Sequence, residues 1–483
     1  MPAKYVIHSK PVAPRFRPVG KLGIVDWRED CSSCHNCVKR GCVYRLYREE
    51  ADTLRQEIGY LDYIYQCKGC LSCVQNCTKN ILTRVVNPEY RRLGDEYYTP
   101  DIILATWFQA ETGRIPVSGS GYGGPFSGPG FDSMWTDMSE IVRPTRDGIH
   151  GREYISTGVD IGRKLPHLAF VGGEPTLMPP PLVEAPMPVI FDLIPSRWRR
   201  GAVVAAVAAA ASEIGTLAVL REEDMPEEKS AEEDLTQTET SDWDGQPDGA
   251  AVNGHVIPLL EAAGAGTAWS RLSARLVMIP DGPDAPAAQA ALKREHASQV
   301  VAIRVPATPT AALRVVELTR AGAEVIHLLF DAHGREEAPA GPRHMRDVLR
   351  EVHGALVKEG VRDEVTLIAS GGIAAAEHVA KAIICGADLV AIDIPLLLAL
   401  ECRLCGDCLR ELPCPIALDE AEQGFAVHRI VNLMAAWHQQ LIEVLGAMGI
   451  REIRRLRGET GRCMFFEDLE RETFGRWLGK RKA

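Results

Sequence analysis

The second half of the chain alternates short, continuously apolar runs with longer stretches of helical hydrophobic periodicity. Such runs are typical of strands buried on both faces, and intervening helices are typical of parallel β/α units. The predicted strands are 188–194, 215–220, 275–280, 300–305, 324–330, 364–370 and 387–393, with an eighth near 255–264. Helices are predicted at 198–213, 310–322, 344–360 and 377–386. The pattern predicts an α/β fold with a closed (β/α)8 barrel of the TIM type. A doubly wound open sheet is the alternative, which the absence of a Gly-x-Gly-x-x-Gly turn after the first strand disfavours.

Most of the 14 cysteines fall into three groups of one form, Cys-x2-Cys-x2-Cys followed by a fourth cysteine. The groups are Cys31, Cys34, Cys37 and Cys42; Cys67, Cys70, Cys73 and Cys77; and Cys402, Cys405, Cys408 and Cys414. A tight triplet wraps a short loop around one corner of an iron–sulfur cage, where backbone N–H groups offset the negative charge of the cluster. Structural zinc, the alternative, uses two ligand pairs a dozen or more residues apart. The spacing therefore predicts three iron–sulfur clusters, with [4Fe–4S] favoured over [3Fe–4S] for the third.

The two N-terminal groups stand in tandem and resemble the two-cluster bacterial ferredoxins. In that fold the fourth cysteine of each group binds the other cluster. The resemblance therefore implies one cluster held by Cys31, Cys34, Cys37 and Cys77, and a second held by Cys67, Cys70, Cys73 and Cys42. The chain departs from the pattern at Val43 and Thr78, which stand where proline follows the fourth cysteine, and in a long helix-like insertion at 44–62. The other two cysteines, Cys385 and Cys463, lie in apolar contexts and are interpreted as thiols without a ligand role.

Changes in composition along the chain predict four regions. Residues 1–100 form a ferredoxin-like α+β domain with its core at 21–85, and residues 101–185 form a connector. The barrel spans 186–418 and includes the third cysteine group and an acidic loop at 221–249 that we expect to be flexible. Residues 419–483 form a helical C-terminal extension with a basic segment.

The length, charge and apolar content restrict the class of protein. The 483 residues are 46% apolar and 25% charged, which is ordinary for a soluble protein with a sizeable core. A net charge of −11 disfavours nucleic-acid binding. The longest apolar run, 201–211, is shorter than the ~20 residues of a membrane helix, so no membrane insertion is expected. The N-terminus has no apolar core of the signal-peptide kind, which predicts a cytoplasmic protein with reduced cysteines.

Residues 366–408 closely resemble the FMN-binding domain of glutamate synthase, and segments 97–114 and 441–458 fit the same family. The archaeal-type large subunit is the most similar form, since it also carries an N-terminal two-cluster ferredoxin module and lacks a glutaminase domain. The resemblance implies FMN at the C-terminal mouth of the barrel, with its phosphate held by backbone N–H groups of glycine-rich turns. Ser370, Gly371 and Gly372 match the first such turn. Arg304 matches a lysine of the family near the flavin.

Other positions depart from the family where its chemistry takes place. Ile394 and Pro395 replace a small Gly-Thr turn after the last strand, and proline lacks the N–H that a phosphate would use. Segments 194–200, 221–224, 279–290 and 331–339 replace loops that are rich in glycine in the family. An acidic cluster at 221–224 would repel an anionic 2-oxo acid. These departures count against FMN and more strongly against amidotransfer, and no catalytic residue is assigned.

The leading hypothesis is a glutamate-synthase-related oxidoreductase subunit that relays electrons through three iron–sulfur clusters within a larger redox complex. Its expected partners are redox subunits, either a flavoprotein or another iron–sulfur oxidoreductase, which predicts a hetero-oligomer. The first alternative is a ferredoxin-type glutamate synthase that reduces 2-iminoglutarate at FMN. The second is a non-catalytic scaffold that carries clusters.

Overall fold

The computed structural model describes most of the second half of the chain and parts of the first. The described residues are 5–16, 19–27, 34, 36–43, 70–115, 130–136, 155–167, 170–171, 174–175, 180–199, 201–224, 254–260 and 274–474. The predicted helix-like insertion, most of the acidic loop, Cys31 and Cys67 lie outside the described residues.

Short strands, paired in twos, precede the barrel. They are β1 Leu22–Trp27, β2 Leu82–Val86, β3 Met134–Thr136, β4 Val159–Ile161, β5 Phe170–Val171, β6 Glu174–Pro175 and β7 Val183–Ala185. The pairs β1–β2, β4–β7 and β5–β6 are antiparallel, and β3 pairs with the C-terminal strand β16, Cys463–Phe465. Because β3 pairs with β16, the predicted connector and the C-terminal extension are joined by backbone hydrogen bonds.

Eight parallel strands form a closed barrel, as the hydrophobic pattern predicts. They are β8 Val189–Phe191, β9 Ala218–Arg221, β10 Val256–Leu259, β11 Leu276–Pro280, β12 Val300–Pro306, β13 Val325–Leu329, β14 Thr366–Ser370 and β15 Leu389–Ile392. Each strand pairs with the next, and β15 pairs with β8 to close the barrel. Both faces of these strands are apolar because one side fills the barrel and the other packs beneath the helices.

The described helices surround the barrel or cover one of its ends. They are α1 Ser72–Gln75, α2 Pro88–Arg91, α3 Pro100–Thr112, α4 Gly201–Ile214, α5 Ala285–Glu295, α6 Ala311–Arg320, α7 Met345–Lys358, α8 Ala376–Ile384, α9 Ile394–Ala399, α10 Gln423–Ala447 and α11 Phe466–Phe474. The helices α4 to α8 connect successive barrel strands, and α9 begins directly after β15. No described helix is long and apolar enough to span a lipid bilayer.

The long helix α10 joins the N-terminal segments to the barrel. It packs against α3, α4 and α8, and Trp437 donates a hydrogen bond to Gln109 of α3. The buried Asn432 amide donates to the carbonyls of Lys10 (2.7 Å) and Ala110 (2.9 Å). The N-terminal arm, residues 5–16, therefore lies against the same helix that supports the barrel. Helix α3 belongs to the predicted connector, which is thus a packed part of the barrel assembly at this point.

Candidate functional site

The third cysteine group lies in a loop that leaves the C-terminal end of the last barrel strand. Helix α9 begins at Ile394 and ends at Ala399, and the Cys402 N–H donates to the carbonyl of Leu397 at 3.1 Å. Cys402 is buried, Cys405 and Cys408 are half-buried, and Cys414 is exposed. The loop therefore runs from the core of the protein to its surface.

The four sulfurs of this loop lie within electrostatic range of one another. Burial, with smaller contributions from Cys414, Cys405 and Cys408, raises the pKa of the Cys402 thiol to about 12. A backbone N–H of Leu404 faces the Cys402 sulfur, and a backbone N–H of Asp407 faces the Cys405 sulfur. Leu404 and Gly406 adopt left-handed backbone conformations, which are typical of turns whose backbone N–H groups bind anions. Backbone N–H groups that face the sulfurs are what an anionic iron–sulfur cage requires.

No three Cys, His, Asp or Glu side chains among the described residues are close enough to share one metal ion. Four thiolates around one zinc ion with bonds of about 2.3 Å would place their sulfurs about 3.8 Å apart. In a cuboidal cluster each thiolate binds a different iron, so the sulfurs are spaced more widely. The third loop thus places four cysteines within electrostatic range of one another, without the close spacing of a single-ion site.

The N-terminal motifs approach each other in the part that the structure describes. The turn at 36–40 packs against α1, and a Cβ on Gly41 would lie 2.8 Å from Cβ of Asn76. These two residues directly precede Cys42 and Cys77, the fourth cysteines of the two motifs. Strands β1 and β2 pair from Leu22 with Val86 to Trp27 with Leu82, so the two ends of the module are joined. The crossed ligation stays a prediction, because it includes Cys31 and Cys67.

A buried ion pair lies inside the barrel at Arg304. One guanidinium nitrogen of Arg304, on β12, is 2.7 Å from a carboxylate oxygen of Asp192, which follows β8. Burial is the largest single effect and raises the pKa of Asp192, but the charge of Arg304, electrostatic interaction with His327, and hydrogen bonds from Arg304 and from the Leu193 N–H together hold the pKa at about 2. The neighbouring His327 is fully buried, and burial lowers its pKa to about 3, so the ring is neutral. The resemblance places the positive charge of Arg304 near a flavin. In this structure Asp192 neutralises that charge.

The turn of Ser370, Gly371 and Gly372 is present but is packed against a neighbouring loop. Gly371 and Gly372 have φ values of 92° and 66°, which glycine adopts without strain. A Cβ on Gly371 would lie 2.4 Å from the carbonyl oxygen of Asp331, and one on Gly372 would lie 2.3 Å from the Gly334 nitrogen. The Tyr97 hydroxyl also donates to the Gly372 carbonyl at 2.6 Å. The glycines thus permit close approach of the 331–334 backbone.

The second phosphate-binding turn of the family is replaced by the start of α9. The Asp393 carboxylate accepts the N–H of Ile394 at 2.6 Å, Pro395 has no N–H, and the Leu396 N–H donates to the Asp393 carbonyl. Burial, with a smaller contribution from the charge of Asp192, raises the pKa of Asp393 to about 6. A phosphate would find no free donor on these three residues and would face two carboxyl groups. The residues at this turn therefore do not fit the phosphate of FMN.

The acidic cluster at 221–224 is partly neutralised by tertiary contacts. Arg199, from the turn after β8, forms ion pairs with Glu223 at 2.6 Å and with Asp224 at 3.0 Å. Two segments that replace glycine-rich loops of the family, 194–200 and 221–224, are thus joined by ion pairs at neighbouring strand ends.

The sequence pattern did not identify Asp192, which pairs with Arg304, or Asp393, which accepts the Ile394 N–H at the mouth of the barrel. Asp192 falls inside the predicted strand 188–194 and Asp393 ends the predicted strand 387–393, whereas in the structure each directly follows a strand, β8 or β15. An acidic residue at the end of an apolar run, where parallel strands carry functional groups, was the available signal.

The fold and the cysteine loop define the class: a parallel (β/α)8 barrel protein with a four-cysteine loop after its last strand. Residues 343–451 match the sequence model of the conserved region in glutamate synthase, a segment that includes the loop. The chain is 28% identical to the archaeal glutamate synthase [NADPH] of Archaeoglobus fulgidus, over 94% of this chain and 96% of that protein. It is 27% identical to the archaeal-type glutamate synthase [NADPH] of Dehalococcoides mccartyi, over 90% and 93%.

Solved structures similar to this chain include a mandelate oxidase with benzoyl-formic acid. It has 15% sequence identity and a TM-score of 0.38, and the match covers 67% of this chain and 97% of that one. The family and sequence comparisons confirm the resemblance that the sequence predicts: residues 343–451 match the conserved region in glutamate synthase, and the chain is similar to archaeal-type glutamate synthases over about nine-tenths of its length.

Proposed function

We propose that this protein is an electron-transfer subunit, related to glutamate synthase, in which three cysteine motifs hold iron–sulfur clusters. The third cluster would be held by Cys402, Cys405, Cys408 and Cys414. The N-terminal motifs would hold two more, with ligands assigned as the ferredoxin resemblance implies. Bound clusters supply one-electron transfer, and their potentials are set by hydrogen bonds to the sulfurs and by exposure.

The observation that carries this proposal is the contrast between the two ends of α9. At its start, the carboxylate of Asp393 accepts the backbone N–H of Ile394, a hydrogen bond that a phosphate would otherwise accept. Just beyond its end, Cys402 begins a loop whose backbone N–H groups face sulfur. The first turn of this helix offers FMN phosphate no free hydrogen-bond donor on Ile394, Pro395 or Leu396. The loop beyond the other end carries the four cysteines that would bind a cluster under this proposal.

The surface of the third loop supports a role with a redox partner. Leu409 and Leu412 are large apolar residues that are 62% and 51% exposed, and both lie in the segment between Cys408 and the exposed Cys414. A cluster in this loop would lie close to the surface at that side. We propose a flavoprotein or another iron–sulfur subunit as the partner that exchanges electrons there.

A ferredoxin-type glutamate synthase is the second candidate, since the relatives named above are glutamate synthases, although their names specify NADPH. Retention of Ser370, Gly371 and Gly372 with the backbone of a glycine turn favours it. It requires FMN, for which the turn at Asp393 provides no donor.

Anaerobic purification with measurement of iron, FMN and co-purifying proteins tests the choice. The electron-transfer function predicts about 12 iron atoms per chain, reduction by dithionite, no stoichiometric FMN, and a bound redox subunit. Stoichiometric FMN together with glutamate formation from 2-oxoglutarate and ammonia would establish the second candidate. Clusters that dithionite does not reduce would support the non-catalytic scaffold.

A further inference from the structure

The N-terminal arm contacts both ends of the third cysteine loop through one residue, Arg15. Its backbone N–H donates to one carboxylate oxygen of Glu401 at 2.9 Å, and its guanidinium Nε donates to the other at 3.2 Å. A second guanidinium nitrogen donates to the carbonyl of Ile416 at 3.2 Å. Glu401 directly precedes Cys402, and Ile416 follows Cys414 by two residues. One side chain therefore connects the start of the loop to its end.

The contact is built into the protein. Glu401 is buried and has a left-handed backbone conformation, with φ of 71°. A second arginine, the fully buried Arg429 of α10, lies 3.8 Å from the Glu401 carboxylate and donates to the carbonyl of Ala399. The guanidinium groups of Arg15 and Arg429 both lie over the ring of Phe425. Glu401 is thus held from the arm and from α10, which fixes the backbone at the first cysteine.

The same loop is also joined to the far side of the N-terminal module. The N–H of Gly94 donates to the carbonyl of Arg403, which follows Cys402, at 3.0 Å. Residues before and after the N-terminal cysteine motifs therefore both contact the third loop.

We propose that Arg15 is a positioning residue for the third cluster: it holds the two ends of the cysteine loop together and supplies positive charge behind the cage. This inference rests on the proposed function, because it requires a cluster in this loop. Positive charge near a cluster favours its reduced, more negative form, so Arg15 raises the reduction potential. Restraint of the loop ends slows the escape of iron, because the four thiolates cannot separate without breaking the Arg15 contacts.

The test compares Arg15→Ala, Arg15→Lys and Lys10→Ala in the full chain. Lys10→Ala removes one positive charge from the same arm, at an exposed residue that contacts Asn432 through its backbone N–H and carbonyl. The measurements are the rate of iron loss to a chelator and the midpoint potential of the third cluster by EPR. The signal of that cluster is identified by its disappearance in Cys408→Ser.

Arg15→Ala is expected to lose the iron of the third cluster about tenfold faster, since hydrogen bonds to charged groups are lost, and to show a lower potential. Arg15→Lys is expected to keep the potential but still lose iron faster, because one ammonium cannot hold Glu401 and Ile416 in the same way. Lys10→Ala is expected to behave as the unaltered chain does.

Equal iron loss and equal potential in Arg15→Ala and the unaltered chain would overturn the proposal. If Arg15→Ala does not fold, Arg15→Lys decides by the same iron-loss rate. If Cys408→Ser changes neither iron content nor the EPR spectrum, the third cluster does not exist, and the proposed function fails before Arg15 is considered.

Discussion

Arg304 and Asp192 form an ion pair across the interior of the barrel, with 2.7 Å between the guanidinium and the carboxylate. The two side chains come from β12 and from the end of β8, and both are about nine-tenths buried. The family resemblance predicts that the cationic side chain of Arg304 lies near a flavin. In the structure this side chain contacts Asp192 instead. If one residue of the pair is replaced by an uncharged residue, the charge of the other stays buried without an opposite charge beside it.

Arg304→Met is therefore expected to destabilise the protein by about 3–5 kcal/mol, since it leaves a buried carboxylate unpaired. Urea unfolding followed by circular dichroism measures the loss. The double variant Arg304→Met with Asp192→Asn is the control and is expected to recover part of it. A loss below about 1 kcal/mol in the single variant would contradict a buried ion pair.

His327 makes stability depend on pH. Burial lowers its pKa in the folded state to about 3, below the ordinary value of 6.5. Between these values the unfolded chain binds a proton that the folded chain does not, so the free energy of unfolding decreases as the pH falls below about 6.5. His327→Leu removes this contribution and is expected to flatten the dependence by up to about 1.4 kcal/mol per pH unit.

Urea unfolding between about pH 4.5 and 6.5 checks this expectation. His8→Gln, at an exposed histidine of the N-terminal arm, provides the matched control and should leave the slope unchanged. An unchanged slope in His327→Leu would show that the ring is not held neutral.

The start of α9 is expected to determine flavin affinity. Asp393→Gly combined with Pro395→Ala removes a carboxylate and restores an N–H, so FMN should bind at least about tenfold more tightly than to the unaltered chain. Quenching of flavin fluorescence on titration measures the affinity. Pro395→Ala alone keeps the carboxylate and should give no gain. Tight binding of FMN by the unaltered chain would contradict the misfit at Asp393.

The third cysteine group is expected to account for about one third of the bound iron. Cys408→Ser should lower the iron content from about 12 to about 8 atoms per chain, because one cluster of four irons loses a ligand. Iron analysis and EPR of anaerobically purified protein provide the measurement. Cys463→Ser, outside the three motifs, is the control and should retain all the iron. Equal iron in both variants would exclude a cluster at this loop.

Local patterns in the sequence determined the barrel and the cysteine groups. The apolar runs predicted all eight barrel strands, including the weak one that forms β10, because strands buried on both faces must be apolar at successive positions. The spacing of Cys402, Cys405 and Cys408 likewise indicated one loop, since neighbouring ligands need no long-range contact to come together.

Only the tertiary structure decided which charges meet. Arg15 and Glu401 are separated by 386 positions, and Arg304 and Asp192 by 112, so no local pattern links them. From sequence, Arg304 is a cation available to a flavin; folding places Asp192 beside it and neutralises it. The physical reason is that the burial of a charge depends on its partner, and a closed barrel brings the ends of distant strands within hydrogen-bond distance.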